Sequence, residues 1–246
     1  MEKRSGMRSK IATTIVALIV MASITPSLVY SDEGAKKVVS GGGVMSGLKL
    51  IDLAKLSTKL EAKGFQALRN YNPSYGGGGY GIIKDKIILS GEGLFIFKQN
   101  VFSGTAQALV DVSYGVLNIG YVIISAENFI FFPMFGVGVN FIDLRIAERG
   151  VVPTFDEVLD NPKRQAKVST RGVLFQFGIG WDYFLQLGGD KKGKGGLLFG
   201  IRLGYTHVAN KADWRMGWGG DVLGGPSVGV TGPYVHFIFG TARFRR

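Results

Sequence analysis

The chain has 246 residues, 46% hydrophobic and 12% aromatic, with 38 Gly, 7 Pro, no Cys, 2 His and a formal net charge of +11. Gly stands at about twice its usual share of roughly 7%, and few charges with many aromatics exclude a disordered chain. The lack of Cys excludes disulfide scaffolds, thiol catalysis, Cys-based zinc sites and lipoprotein anchoring, and two His cannot build a His-rich metal site.

Residues 1–31 read as a secretory signal peptide. Lys3, Arg4, Arg8 and Lys10 precede an uncharged apolar run, 11–24, and small residues follow up to Ser31. The run is shorter than the ~20 residues of a membrane-spanning helix. Cleavage is expected after Ser31, which leaves a single domain, 32–246. That domain holds 25 Lys and Arg against 17 Asp and Glu. Its basic residues are scattered or sit in short loops such as 190–194. They form no stripe interleaved with aromatics, so nucleic acid is not an expected partner. Anionic lipid headgroups or plain solvent fit the charge better.

Beyond residue 31 no apolar run approaches 18 residues, which excludes a helical membrane protein. Period-two alternation recurs instead. Eight strands are predicted, roughly 38–48, 74–84, 86–97, 105–124, 129–147, 168–187, 196–208 and 228–244. Ten is the rival count. The clearest is 172–187. There Val173, Phe175, Phe177, Ile179, Trp181, Tyr183 and Leu185 oppose Gly172, Leu174, Gln176, Gly178, Gly180, Asp182 and Phe184. Residues 135–141 and 197–205 repeat the pattern. A Gly-rich face that carries charge, set against an aromatic face, suits a small closed barrel with a crowded lumen and a lipid-facing exterior. Gly weakens an ordinary strand, so its placement on one face needs such a reason.

The connections alternate. Residues 84–86, 125–128 and 188–195 are short; 49–73, 148–167 and 209–227 are long, and 98–104 is the exception among the long set. An even-stranded barrel with both termini on one side predicts this. Within the first long connection, residues 50–63 place Leu53, Ala54, Leu56 and Leu60 at helical spacing, an amphipathic helix of three to four turns. It could cap the barrel mouth, lie on the membrane, meet a partner or simply cover local apolar surface.

These features together resemble the small outer-membrane β-barrel proteins of Gram-negative bacteria, the eight-stranded kind most of all. The resemblance implies an all-β, antiparallel, up-and-down transmembrane barrel in the outer membrane, with outer-membrane lipid and the barrel-assembly machinery as partners. Such proteins usually end on an aromatic residue that the machinery reads. Here Phe244 stands near the end, with Arg245 and Arg246 after it.

The Gly-rich parity carries Glu92, Asn118, Asn140, Gln176, Asp182 and Arg202, and His236 joins it if Phe237 and Phe239 face lipid. Glu92, Asn118, Asp182 and Arg202 should share one height near the middle of the membrane, with Asp182 and Arg202 paired. Such a cluster is either a plug of paired buried charges or a path for protons or solutes. A narrow eight-stranded lumen favours the plug. Residues 202–210 are similar to the His-x-Ser-Asn stretch of the lipid A deacylases, with His207 as base and Asp213 or Asp221 to orient it. Ala209, however, stands where the nucleophile would be. Gly76, Gly78 and Gly81 fit a dinucleotide fingerprint on paper, but a strand follows instead of a helix. The sign switch along 148–167, from Asp156, Glu157 and Asp160 to Lys163, Arg164 and Lys167, is a recognition surface or a solvated loop. The expectation is a non-enzymatic barrel without cofactor, metal or catalytic residue, acting in envelope structure, surface interaction or binding of a small apolar ligand. A barrel enzyme acting on lipid A and a narrow channel are the alternatives.

Overall fold

The computed structural model describes residues 37–150, 165–186, 194–211, 213–217 and 219–245. The expected signal peptide, residues 151–164 of the 148–167 loop and residues 187–193 of the 188–195 turn lie outside the described residues.

The strands are β1 (Lys37–Leu50), β2 (Tyr71–Ile83), β3 (Ile87–Phe102), β4 (Ala106–Tyr121), β5 (Ile124–Ser125), β6 (Phe129–Glu148), β7 (Gln165–Gln186), β8 (Lys194–Lys211), β9 (Trp214–Met216), β10 (Asp221–Val222) and β11 (Gly232–Arg245). One helix, α1, spans Ala54–Glu61. Eight strands form the wall in the order β1-β2-β3-β4-β6-β7-β8-β11, each antiparallel to the next, and β11 pairs back onto β1. The chain is therefore a closed, up-and-down, eight-stranded antiparallel barrel.

Register fixes the tilt. From Met45, successive partners Gly76, Leu94, Tyr114 and Asn140 lead to Gly172 on β7. The other way, through Ile238 and Gly200, the same line reaches β7 at Asp182, ten residues away. A stagger of this size inclines the strands by roughly 45° and closes a narrow cylinder.

The outer face is apolar. On β7, Val173, Phe177, Trp181, Tyr183 and Leu185 are exposed, as are Phe135, Val137, Val139 and Phe141 on β6. From Val173 to Leu185, twelve steps of ~3.3 Å at ~45° give a band roughly 28 Å tall, close to the ~25 Å of a membrane barrel. Charged side chains lie beyond it, for example the Lys98–Asp111 and Lys167–Asp143 pairs at the end with the long connections. No helix among the described residues is long and apolar enough to cross a membrane.

Several local features differ from the sequence expectation, among them β3, which runs on to Phe102 and takes up most of the expected 98–104 connection. The helix is two turns, 54–61, instead of 50–63. Leu50 still belongs to β1, Asp52 forms an isolated bridge with Gly229, and Gly64 turns the chain at φ +80°. Part of the 209–227 connection is ordered as the β9–β10 hairpin, which pairs with the start of β7. Its Trp214 is buried and donates its indole N–H to Pro226 O at 2.8 Å. The Gly run of β2 has no single facing. Gly76 and Gly78 point inward, while Gly77, Gly79 and Gly81 point outward. A run without side chains offers no alternation to read.

Candidate functional site

The lumen is layered. At the end with the long connections its inward residues are apolar: Val110, Val112, Ile142, Leu144, Leu174 and Val208 are all buried. Helix α1 closes this end. Leu53, Leu56 and Leu60 are buried, and Ser57 Oγ accepts from the Leu68 backbone N–H at 3.0 Å and donates to Glu61 at 2.5 Å. Lys59 ties the helix to the neighbouring connection before β11, at Gly224 O, 2.5 Å. At the opposite end, Ile88, Ile130, Leu198, Phe184 and Phe244 form a second apolar layer, with the Phe184 and Phe244 rings edge to face at 5.8 Å. The inward face is thus most polar between two largely apolar layers, with Thr170 beside Ile142 in the upper one. The expectation was a Gly-rich polar lumen; the structure adds the apolar layers at its ends.

All seven polar residues singled out from the sequence face the interior and are buried: Glu92, Asn118, Asn140, Gln176, Asp182, Arg202 and His236. Six of them fall into three groups. Arg202 grips Asp182 with two parallel bonds, Nη1–Oδ1 at 2.5 Å and Nη2–Oδ2 at 2.9 Å. Its guanidinium also lies 4.8 Å from the Phe132 ring centre. Gln176 donates to Glu92 Oε2 and to Asn118 Oδ1, both at 3.2 Å. His236 Nε2 sits 3.0 Å from Ser74 Oγ and stacks on the Tyr234 ring at 4.8 Å. Asn140 is buried near the apolar layer, and its Oδ1 has no hydrogen-bond partner among the described residues.

Glycine makes this packing feasible. Arg202 faces Gly180 in register and Asp182 faces Gly200, so the ion pair forms along the diagonal instead of directly across. A Cβ at Gly200 would run into Asp182 Oδ1, and one at Gly180 would come within 3.0 Å of Arg202 Nη1. Likewise the Tyr234 hydroxyl lies 2.6 Å from where a Cβ would stand on Gly178 or Gly204. Removing side chains from one position admits long ones from its neighbour. The space left at this level, lined by Gly78, Tyr80, Ser90, Glu92, Phe132 and Arg202 among others, is about 10 Å³, room for about one water.

Sequence reasoning missed a further group. Lys49 is fully buried, donates to Thr206 Oγ1 at 2.6 Å, and lies 5.1 and 5.2 Å from the Tyr114 and Tyr234 ring centres. Thr206 in turn donates to Val230 O. The signal was present as parity. Lys49 shares its face with Met45 and Gly47, Ser74 with Gly76 and Gly78, and Tyr234 with His236. The Ser74–His236 contact is of the kind hydrolases use to activate a nucleophile. Here both side chains are sealed, at 2% and 1% exposure.

The two residues considered for catalysis lie elsewhere. His207 is on the outward face of β8, opposite Phe175 in register, and Asp213 is exposed beyond the end of that strand. No hydrogen bond joins them among the described residues. Among those residues no three His, Asp or Glu side chains converge as metal ligands would.

No protein-family model matches this chain, and no curated protein does. Among solved structures, the outer membrane protein OprG from Pseudomonas aeruginosa is similar at 16% identity and a TM-score of 0.37, over 88% of this chain and all of that one. The outer membrane protease OmpT from Escherichia coli is similar at 10% identity and a TM-score of 0.30, over 85% of this chain and 93% of that one. The chain itself folds as a closed eight-stranded antiparallel barrel.

Proposed function

We propose that this protein is a non-enzymatic outer-membrane barrel whose sealed lumen serves as a rigid core. Its outer end, built from α1 and the long connections, would then be the part that meets other components of the cell envelope. The observation that carries this reading is the combination of an apolar outer band with a lumen filled from end to end. A water-filled pore would need a continuous polar passage. Here Arg202, bonded twice to Asp182, sits between two apolar layers. Small barrels filled by their own side chains are a known solution for eight strands. Against a lipid A hydrolase stand the outward placement of His207 and the Ala209 at the nucleophile position. The upper apolar layer is occupied by the leucines of α1, so a small apolar ligand would have to displace them.

The test is membrane fractionation with gel mobility. The intact chain should be found in the outer membrane and run faster before boiling than after it. A soluble protein with no mobility shift would contradict the proposal, because its aromatic face would then have to cover a dry core.

A further inference from the structure

The outer face of the barrel carries an open groove of about 410 Å³ across β7, β8, β11 and β1. Trp181 forms one bank. Phe199 and Ile201 on β8 come next, then Phe237 and Phe239 on β11, with the Phe199 and Phe239 ring centres 5.2 Å apart, and Val44 on β1 closes the far side. Trp181 and Phe239 stay about half exposed, at 51% and 52%.

The groove lies within the apolar band, towards the end that carries the chain termini. Directly below it the rim is basic. Along β11 the outward row runs Phe237, Phe239, Thr241, Arg243, so an exposed arginine ends the row that walls the groove. Register sets Lys37 opposite Arg245 and Lys194 opposite Phe244, next to Arg243. The ends of β1, β8 and β11 beneath the groove thus place Lys37, Lys194, Arg243 and Arg245 at neighbouring register positions of one rim arc. Within the last five described residues at these ends β1, β8 and β11 hold no Asp or Glu, and the one acid of β7 there, Asp182, is buried inside the barrel and bonded to Arg202. On the far side of the same rim the connections mix the two signs, Asp85 and Glu127 with Lys84 and Lys86.

An aromatic trough in the acyl region with a basic arc at headgroup level is complementary to one molecule class. We infer that this face binds an anionic phospholipid, one acyl chain lying in the groove and the phosphate against the Arg243 arc. The inference rests on the reading of the chain as a membrane barrel.

Trp181 provides the readout. The full chain is reconstituted in vesicles in which either phosphatidylglycerol or phosphatidylcholine carries brominated acyl chains at the same mole fraction. Quenching lost in Trp181→Phe is the share owed to the groove. That share should be at least twofold greater for brominated phosphatidylglycerol, and Arg243→Gln, an exposed position, should erase the difference. Equal quenching by the two lipids would overturn the inference. So would a Trp181 shielded from both in a chain that runs as a cross-linked dimer, which would make the groove a contact between copies. A chain that fails to insert, with no mobility shift, would instead sink the membrane reading beneath it.

Discussion

Two parts of the barrel wall use glycine in opposite ways. In the middle of β6, β7 and β8 the glycines face inward and most aromatics outward, Phe132 and Phe184 being the inward exceptions. A Cβ at Gly178 would stand 2.8 Å from Leu203 O, and one at Gly138 would overlap the Gly115 carbonyl and come within 2.9 Å of Val116 Cα. In β2, β3 and β4 glycines also face outward. Gly77 pairs with Gly93 and Gly93 with Gly115, while Gly79 pairs with Gly91. A Cβ on Gly93 or Gly81 would meet nothing within 4 Å. The first set is a steric requirement of the packed lumen. The second is bare wall, and no packing demand in the structure accounts for it.

This contrast can be broken or sharpened by mutation. The largest effect is expected where the inward glycines make room for charge. Arg202→Ala strips Asp182 of its partner while it remains fully buried, and should cost about 3–5 kcal/mol. Urea unfolding followed by gel mobility would measure it. A loss under 1 kcal/mol would mean that the pair is hydrated. Replacing Arg202 and Asp182 together by Met and Leu should recover most of the loss, because two apolar groups leave no orphaned charge. Next comes Gly138→Ala, which forces a side chain into a neighbouring backbone. Overpacking of that kind should destabilise by about 1–3 kcal/mol in the same assay. The smallest effect is Gly93→Ala on the bare outer wall. It should be neutral or stabilise by up to about 1 kcal/mol through lost freedom in the unfolded chain. Equal losses for Gly138→Ala and Gly93→Ala would erase the distinction.

Most of the barrel was legible in the sequence because period-two alternation survives wherever the two faces differ. Residues 172–187 and 197–205 show it cleanly, and they delivered Gln176, Asp182 and Arg202 to the inward face. Legibility failed where the two faces are alike. In β4, Val110 and Val112 face in while Leu117 and Ile119 face out, so an apolar upper layer in the lumen leaves no contrast to detect. The Gly run 76–79 fails for the opposite reason, since neither face has side chains. Lys49 and Ser74 lay on a readable parity, but their partners Thr206 and His236 are 157 and 162 residues away along the chain. Only closure of the barrel brings them together. The cork formed by α1 depends on the same closure, since its leucines gain a binding face only when the strand ends form a ring.

A lumen filled by its own side chains leaves ions no path. Purified protein inserted into planar lipid bilayers should therefore show no stable conductance steps across a range of voltages. Steady, reproducible single-channel steps from the unmodified chain would contradict the account, because ions would then have to pass a level where Arg202, Asp182, Phe132 and Tyr80 leave about 10 Å³.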